Sequence, residues 1–155
     1  MAEVFRRLLE ENRVMTLATC SPEGPWAAPV LYALRPGPQL VFMSRTGTRH
    51  VRDLLASPRV AVAIYPHQTR PLRGVQLEGV ARPLAGRETL AAIRAYLQRF
   101  PAARGRFPLW DAVRGRGEVR FFALRPERAY VLSEVDFGWG ARREVPLHEL
   151  LRSFR

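Results

Sequence analysis

The chain has 155 residues, 47% of them hydrophobic and 25% charged, with a formal net charge of +11. That composition belongs to one globular domain spanning residues 1–155 and excludes an intrinsically disordered chain. No run approaches the ~18 consecutive apolar residues of a membrane span.

The start, Met1-Ala-Glu-Val-Phe-Arg-Arg7, carries charges where a signal peptide needs its apolar segment, so a cytoplasmic protein is expected. All 25 basic residues are arginine, which favours anionic partners such as phosphates, nucleotides or nucleic acid. The single Cys20 cannot form an internal disulfide, and its strand-like surroundings predict a buried, inert thiol. The histidines, His50, His67 and His148, lack metal-ligand spacing.

Residues 3–12 place Val4, Phe5, Leu8 and Leu9 on one helical face, with Asn12 as the stop. Residues 14–19 alternate as a strand, and Ser21-Pro-Glu-Gly24 is a turn. A second strand runs from Ala27 to Leu34 and ends at Arg35-Pro-Gly-Pro38; a third covers Gln39 to Ser44. Thr48 is placed to cap a short helix that carries Val51, Leu54 and Leu55 inward and stops at Ser57-Pro58. Residues 60–65 form an apolar strand predicted to be central in the sheet.

Arg73 to Leu84 reads as a long strand in which Gly79 marks a bulge or close approach. Gly86 to Phe100 reads as a helix with Leu90, Ile93, Leu97 and Phe100 inward. Residues 118–124 and 128–132 are expected to form a hairpin around Arg125-Pro-Glu127, and 146–151 a short terminal helix. Six to seven antiparallel strands with flanking helices predict a mainly β barrel or sandwich.

The chain has no GxSxG elbow, no phosphate-binding GxxxxGK[ST] loop and no strand-linked GxGxxG; its aspartates are only Asp53, Asp111 and Asp136. Side-chain catalysis therefore lacks acids and bases, leaving binding proteins and enzymes whose cofactor carries the chemistry. The densest anion-binding feature is Met43-Ser-Arg-Thr-Gly-Thr-Arg-His50, at a predicted helix N-terminus where free N–H groups and the dipole favour phosphate. The competing reading is a polar turn with solvated arginines.

Phe42-x-Ser44-x-x-Gly47-Thr48-Arg49-His50, then Leu54-Leu55-x-x-Pro58-Arg59-Val60, resembles the flavin-binding split-barrel superfamily typified by pyridoxamine 5'-phosphate oxidase. The strands containing Thr16–Thr19, Ala28–Tyr32 and Gly74–Gly79 match in order, so the resemblance covers residues 10–135. Arg99-Phe-Pro-x-Ala-Arg104 and Phe137-Gly-Trp-Gly140 resemble a small bacterial branch of it.

The resemblance implies an antiparallel split β-barrel that binds FMN as a homodimer, with the flavin at the subunit interface. It implies that Arg49 and His50 grip the FMN phosphate, His50 replacing the usual lysine, with Ser44 offering its hydroxyl beside Met43. It implies that the backbone of Ala28, Pro29, Val30 and Leu31 meets the ring edge and that Gly74, Val75 and Gln76 lie under the ring. Arg104, Trp110 and Trp139 are candidates for substrate or partner-subunit contacts; each tryptophan is equally readable as an aromatic plug in the core or interface.

The leading function is an oxidoreductase passing electrons from NAD(P)H or a similar donor to a small-molecule substrate. A non-catalytic FMN or haem binder is the alternative. A nucleic-acid-binding barrel is disfavoured because the arginines are spread from residue 6 to 155.

Overall fold

The computed structural model describes residues 1–68 and 70–152. Helix α1 (Ala2–Glu11) buries Phe5, Leu8 and Leu9, three large apolar side chains that stabilise the docked helix by roughly 1.5–3 kcal/mol each. It ends at Asn12, whose backbone is extended and whose side-chain amide donates to the Leu8 carbonyl at 2.7 Å.

Strands β1 (Val14–Ser21) and β2 (Gly24–Arg35) form a hairpin across the Pro22-Glu23 turn, in register from Val14↔Leu31 to Ser21↔Gly24. Strand β3 (Gln39–Arg45) pairs with β2, while β4 (Arg59–Ile64) returns to the other side of β1. Strands β5 (Arg73–Pro83) and β6 (Val119–Ser133) follow, and a three-residue β7 (Arg142–Glu144) extends β6. The order is β3-β2-β1-β4-β5-β6-β7, and a further β3–β6 pairing closes the first six strands on themselves. The predicted antiparallel split β-barrel, mainly β with flanking helices, is the fold of this chain.

Two cores follow from the strand alternation. Met15, Leu17, Tyr32, Phe42, Val62, Leu77, Phe122 and Leu124 fill the barrel, joined by α1 and by Val51 and Leu54 of α2 (Arg49–Ala56). Ala33, Val41, Phe121 and Ala123 point the other way and pack under α3 (Arg87–Arg99) and α4 (Leu109–Val113). Between these helices lies one 3-10 turn, Pro101–Ala103; α5 (Glu134–Phe137) and α6 (Leu147–Arg152) are the remaining described helices. Among the described residues no helix is long and apolar enough to cross a membrane.

Several expectations are corrected. Val119–Ser133 is one continuous strand, not the hairpin expected over 118–132. Glu78 pairs with Arg128 and Gly79 with Pro126, so Glu127 is an extra residue in a bulge. Proline lacks a ladder donor and is tolerated there. The strand runs on because β5 pairs along both halves. The bulge is possible because position 79 is glycine: a Cβ there would stand 2.1 Å from the Arg125 carbonyl oxygen.

On α2, Leu55 is exposed and Asp53 is buried instead. On α3 the buried face is Thr89, Ala92, Ile93 and Tyr96, leaving Leu90 exposed. Cys20 is exposed rather than buried, because outward-facing positions on β1 point away from the barrel interior.

Candidate functional site

Strand β3 delivers Ser44 to the barrel's rim, and the Thr46-Gly-Thr turn sets Arg49 and His50 in the first turn of α2. Ser44 Oγ and His50 Nε2 are hydrogen-bonded at 2.8 Å, and Thr48 Oγ1 lies 3.4 Å from the same nitrogen. Burial pushes the His50 pKa below the ordinary histidine value, partly offset by the negative charge of Asp53.

Thr48 occupies the N-cap position but does not cap. Its hydroxyl donates to the Arg45 carbonyl at 2.8 Å and makes no bond to the α2 amides. The first N–H groups of a helix have no intrahelical acceptor. The positive end of α2 therefore faces the Ser44–His50 pair without a side-chain cap.

Arg49 is anchored on three sides. Its Nη2 donates to the Glu23 carbonyl at 3.3 Å, its guanidinium sits 4.5 Å from the Trp26 ring centroid, and Nε lies 3.6 Å from Asp53 Oδ2. That Nε is buried and donates no hydrogen bond, so the group retains donor capacity. Asp53, 1% exposed, accepts a 3.1 Å hydrogen bond from Thr19 Oγ1 on β1. Of the neighbouring guanidiniums, Arg52 donates to the Gly47 carbonyl at 2.9 Å, and the exposed Arg45 stands 3.9 Å from Glu118.

The other candidates separate by strand face. Ala28, Val30 and Val75 are in the barrel core, and Met43 packs against the second core. Outward-facing Pro29 pairs with Thr16, Thr16 with Ala63, and Ala63 with Gln76, so the two predicted ring strands contribute Pro29 and Gln76 to one row across four strands. A second row runs Ala27, Ala18, Ala61, Glu78 and Arg128. Over β2, β1 and β4 both rows are small residues, and over β5 and β6 they turn polar with Gln76, Glu78 and Arg128. At Gly74 a Cβ would stand 3.0 Å from the Ile64 carbonyl oxygen, a tight contact that the β4–β5 pair would have to yield to by a small shift. A cavity of about 320 Å³ opens beside the first row, lined by Thr16 and Ala63 together with Arg13, Tyr65 and His67.

Thr19 and Trp26 are paired on β1 and β2, three residues along from the Thr16–Pro29 pair. At ~3.3 Å per residue that is about 10 Å. The offset is an odd number of residues, so the anion-seeking corner meets this hairpin on its inner face while the small-residue rows lie on the outer one.

Trp110 and Trp139 are 64% and 85% exposed, so neither is a core plug, and Arg104 is also exposed. Arg99 has a different role: its Nη2 donates to the carbonyls of Leu9 (3.0 Å), Glu10 (3.1 Å) and Asn12, closing the C-terminus of α1 from across the fold. Sequence reasoning missed Asp53, Thr19 and Trp26. It also missed Arg120, the half-buried cross-strand partner of Ser44, whose Nε is buried without a hydrogen bond. Only Asp53 left a local signal, standing four residues after Arg49 on one helix face.

A closed antiparallel split barrel with a polar, uncapped helix start and a small-residue outer sheet face is the architecture of a cofactor-binding class of domain. A family model described as pyridoxamine 5'-phosphate oxidase matches residues 1–133, and the chain belongs to that family. It is 34% identical over 109 residues to the UPF0306 protein YhbP of Salmonella paratyphi A, covering 68% of this chain and 74% of that one. A heme binding protein from Mycobacterium smegmatis superposes with a TM-score of 0.79 at 28% identity, covering 97% of this chain and 60% of that one. A fad-binding protein from Mesorhizobium loti has the same fold, with a TM-score of 0.67 at 20% identity and coverage of 94% and 95%.

Proposed function

We propose that this chain binds FMN and works as a flavin-dependent oxidoreductase, passing electrons from a nicotinamide-type donor to a small molecule. The observation that carries this reading is the α2 N-terminus, whose first turn carries uncapped amides, His50 hydrogen-bonded to Ser44, and the adjoining Arg49 held against Trp26 and Asp53. That donor set suits a terminal phosphate, which helix N-termini favour and a guanidinium can grip with two charge-assisted bonds.

Ser44 and His50 would hold the phosphate oxygens, and His50, neutral when unliganded, would gain a proton as the dianion approaches. The backbone of residues 28–31 and the small-residue face would seat the ring system. A bound flavin supplies reversible two-electron chemistry that this chain's own side chains do not. We further infer that a second copy covers the outer sheet face, whose alanines permit close approach and whose rim carries Glu78, Arg128 and Glu144.

The purified chain should be yellow, lose its oxidised-flavin absorbance on NADPH addition, and release FMN on denaturation, identified by mass spectrometry. A colourless protein that takes up no FMN ends this reading. The 28% identity to a heme binding protein supports haem as the second candidate; a Soret band in place of flavin absorbance selects it.

A further inference from the structure

The anion corner holds a buried carboxylate that no phosphate-binding role requires. Asp53 is 1% exposed and shares its Oδ2 between the Thr19 hydroxyl at 3.1 Å and the Arg49 Nε at 3.6 Å. A negative charge here opposes a phosphate dianion by simple Coulomb repulsion, so its presence has to be accounted for by something other than attraction.

Its geometry accounts for it. Arg49 has four side-chain torsions, and a long exposed arginine loses up to ~2 kcal/mol of rotamer entropy when a ligand immobilises it. Here the side chain is already constrained, by the carboxylate behind Nε, the Trp26 ring under the guanidinium plane and the Glu23 carbonyl at Nη2. Asp53 is itself fixed by Thr19, on the strand that pairs with the strand carrying Trp26. Two elements, the β1–β2 hairpin and α2, thus converge on one guanidinium.

We propose that Asp53 is the positioning residue of the phosphate site, holding Arg49 pre-oriented for a phosphate monoester through a Thr19–Asp53–Arg49–Trp26 chain of contacts. The proposal rests on the FMN reading for the identity of its ligand, but the restraint on Arg49 is a property of the protein alone. It sets the site's selectivity for the phosphorylated flavin over the same ring system without a phosphate.

The sign of one substitution separates positioning from charge. Asp53→Asn keeps the side chain's shape and its acceptor for Thr19 while removing the negative charge. If Asp53 were only a nearby charge, its loss would tighten FMN binding. As a positioning residue, its loss weakens FMN about five- to tenfold, within the range of couplings between contacting residues, and leaves riboflavin affinity within about twofold of the unsubstituted chain. Combined with Arg49→Ala, the substitution costs nothing more. Thr19→Val, which keeps the carboxylate but frees it, weakens FMN in the same direction and serves if Asp53→Asn does not fold.

Independently of any ligand, the Arg49 Nε–H resonance, assigned by its loss in Arg49→Lys, should be resolved and slowly exchanging in the unsubstituted chain. It should collapse to the solvent-exposed arginine signals in Asp53→Asn. Tighter FMN binding by Asp53→Asn, equal losses for FMN and riboflavin, or an unrestrained Arg49 signal in the unsubstituted chain would each overturn the proposal. A restrained Arg49 signal that Asp53→Asn releases, in a chain that binds no FMN, would sink the flavin reading and leave the positioning of Arg49 standing.

Discussion

Ser44 Oγ and His50 Nε2, six residues apart in the chain, meet at 2.8 Å across the corner where β3 gives way to α2. Burial keeps the imidazole less basic than in the unfolded chain, with Asp53 partly compensating. The native state therefore binds fewer protons than the unfolded state, so stability rises with pH over that interval. The contribution is complete above the unfolded histidine pKa of about 6.5 and is lost as pH falls through the lower folded value. Thermal melts from pH 8 to pH 5 should show a falling Tm that His50→Gln flattens in the range below about pH 6.5. A parallel pH response in both proteins would refute the assignment.

Arg49→Ala should weaken FMN binding by roughly 1.5–3 kcal/mol, the scale of a hydrogen bond to a charged group. Riboflavin, which lacks the phosphate, should lose far less. Fluorescence titration of both ligands measures the difference, and an unchanged FMN affinity would remove Arg49 from the proposed phosphate site.

Gly79→Ala forces a methyl group to within 2.1 Å of the Arg125 carbonyl oxygen, a backbone atom that cannot swing aside. The bulge must open or the β5–β6 register must slip. A loss of about 2–4 kcal/mol is expected from such overpacking, read from chemical denaturation. A neutral substitution would mean that the two strands separate more easily than their pairing implies.

Arg99→Met keeps much of the side-chain volume but leaves the carbonyls of Leu9, Glu10 and Asn12 without their cation, and removes the guanidinium from its place 5.1 Å from the Tyr32 ring centroid. The expected cost is about 2–3 kcal/mol. Arg99→Lys should recover part of it, because an ammonium can satisfy some but not all of those acceptors. Urea midpoints for the three proteins decide the order.

Ala61→Arg places a long cation in the middle of the small-residue face, at a position exposed in the isolated chain. Folding should be unaffected, and the dimer proposed on this face should dissociate in sedimentation experiments. An unchanged sedimentation coefficient places the subunit interface elsewhere or shows that none exists.

Local pattern carried the architecture a long way. The period-two burial of Val60, Val62 and Ile64, the three- and four-residue spacing of Phe5, Leu8 and Leu9, and the Pro/Gly turns at 21–24 and 35–38 each act within a few residues. The one strand misread as a hairpin failed for a definable reason. Arg125-Pro-Glu127 has the composition of a turn, and only the presence of β5 alongside, with Gly79 opposite, makes a bulge the better solution. Leu55 and Leu90 were misplaced for a related reason: an amphipathic pattern defines a stripe, while the neighbouring elements decide which edge of that stripe is covered.

The corner divides in the same way. Ser44, Thr48, Arg49 and His50 stand within seven residues, so their convergence at a helix start is a local matter of strand, turn and helix, readable from residue type and order. Thr19, Trp26, Asp53 and Arg120 join them through pairings between β1 and β2, β1 and α2, and β3 and β6. Those pairings are set by the closure of the barrel, which no short segment encodes. Hydrophobic alternation and turn chemistry thus determined that this chain forms an antiparallel barrel or sandwich with a polar, arginine-bearing turn at a helix start. Which carboxylate stands behind the arginine, which ring lies beneath it and which small residues line the outer face were decided by strand register, because register alone brings residues distant in sequence to within bonding range.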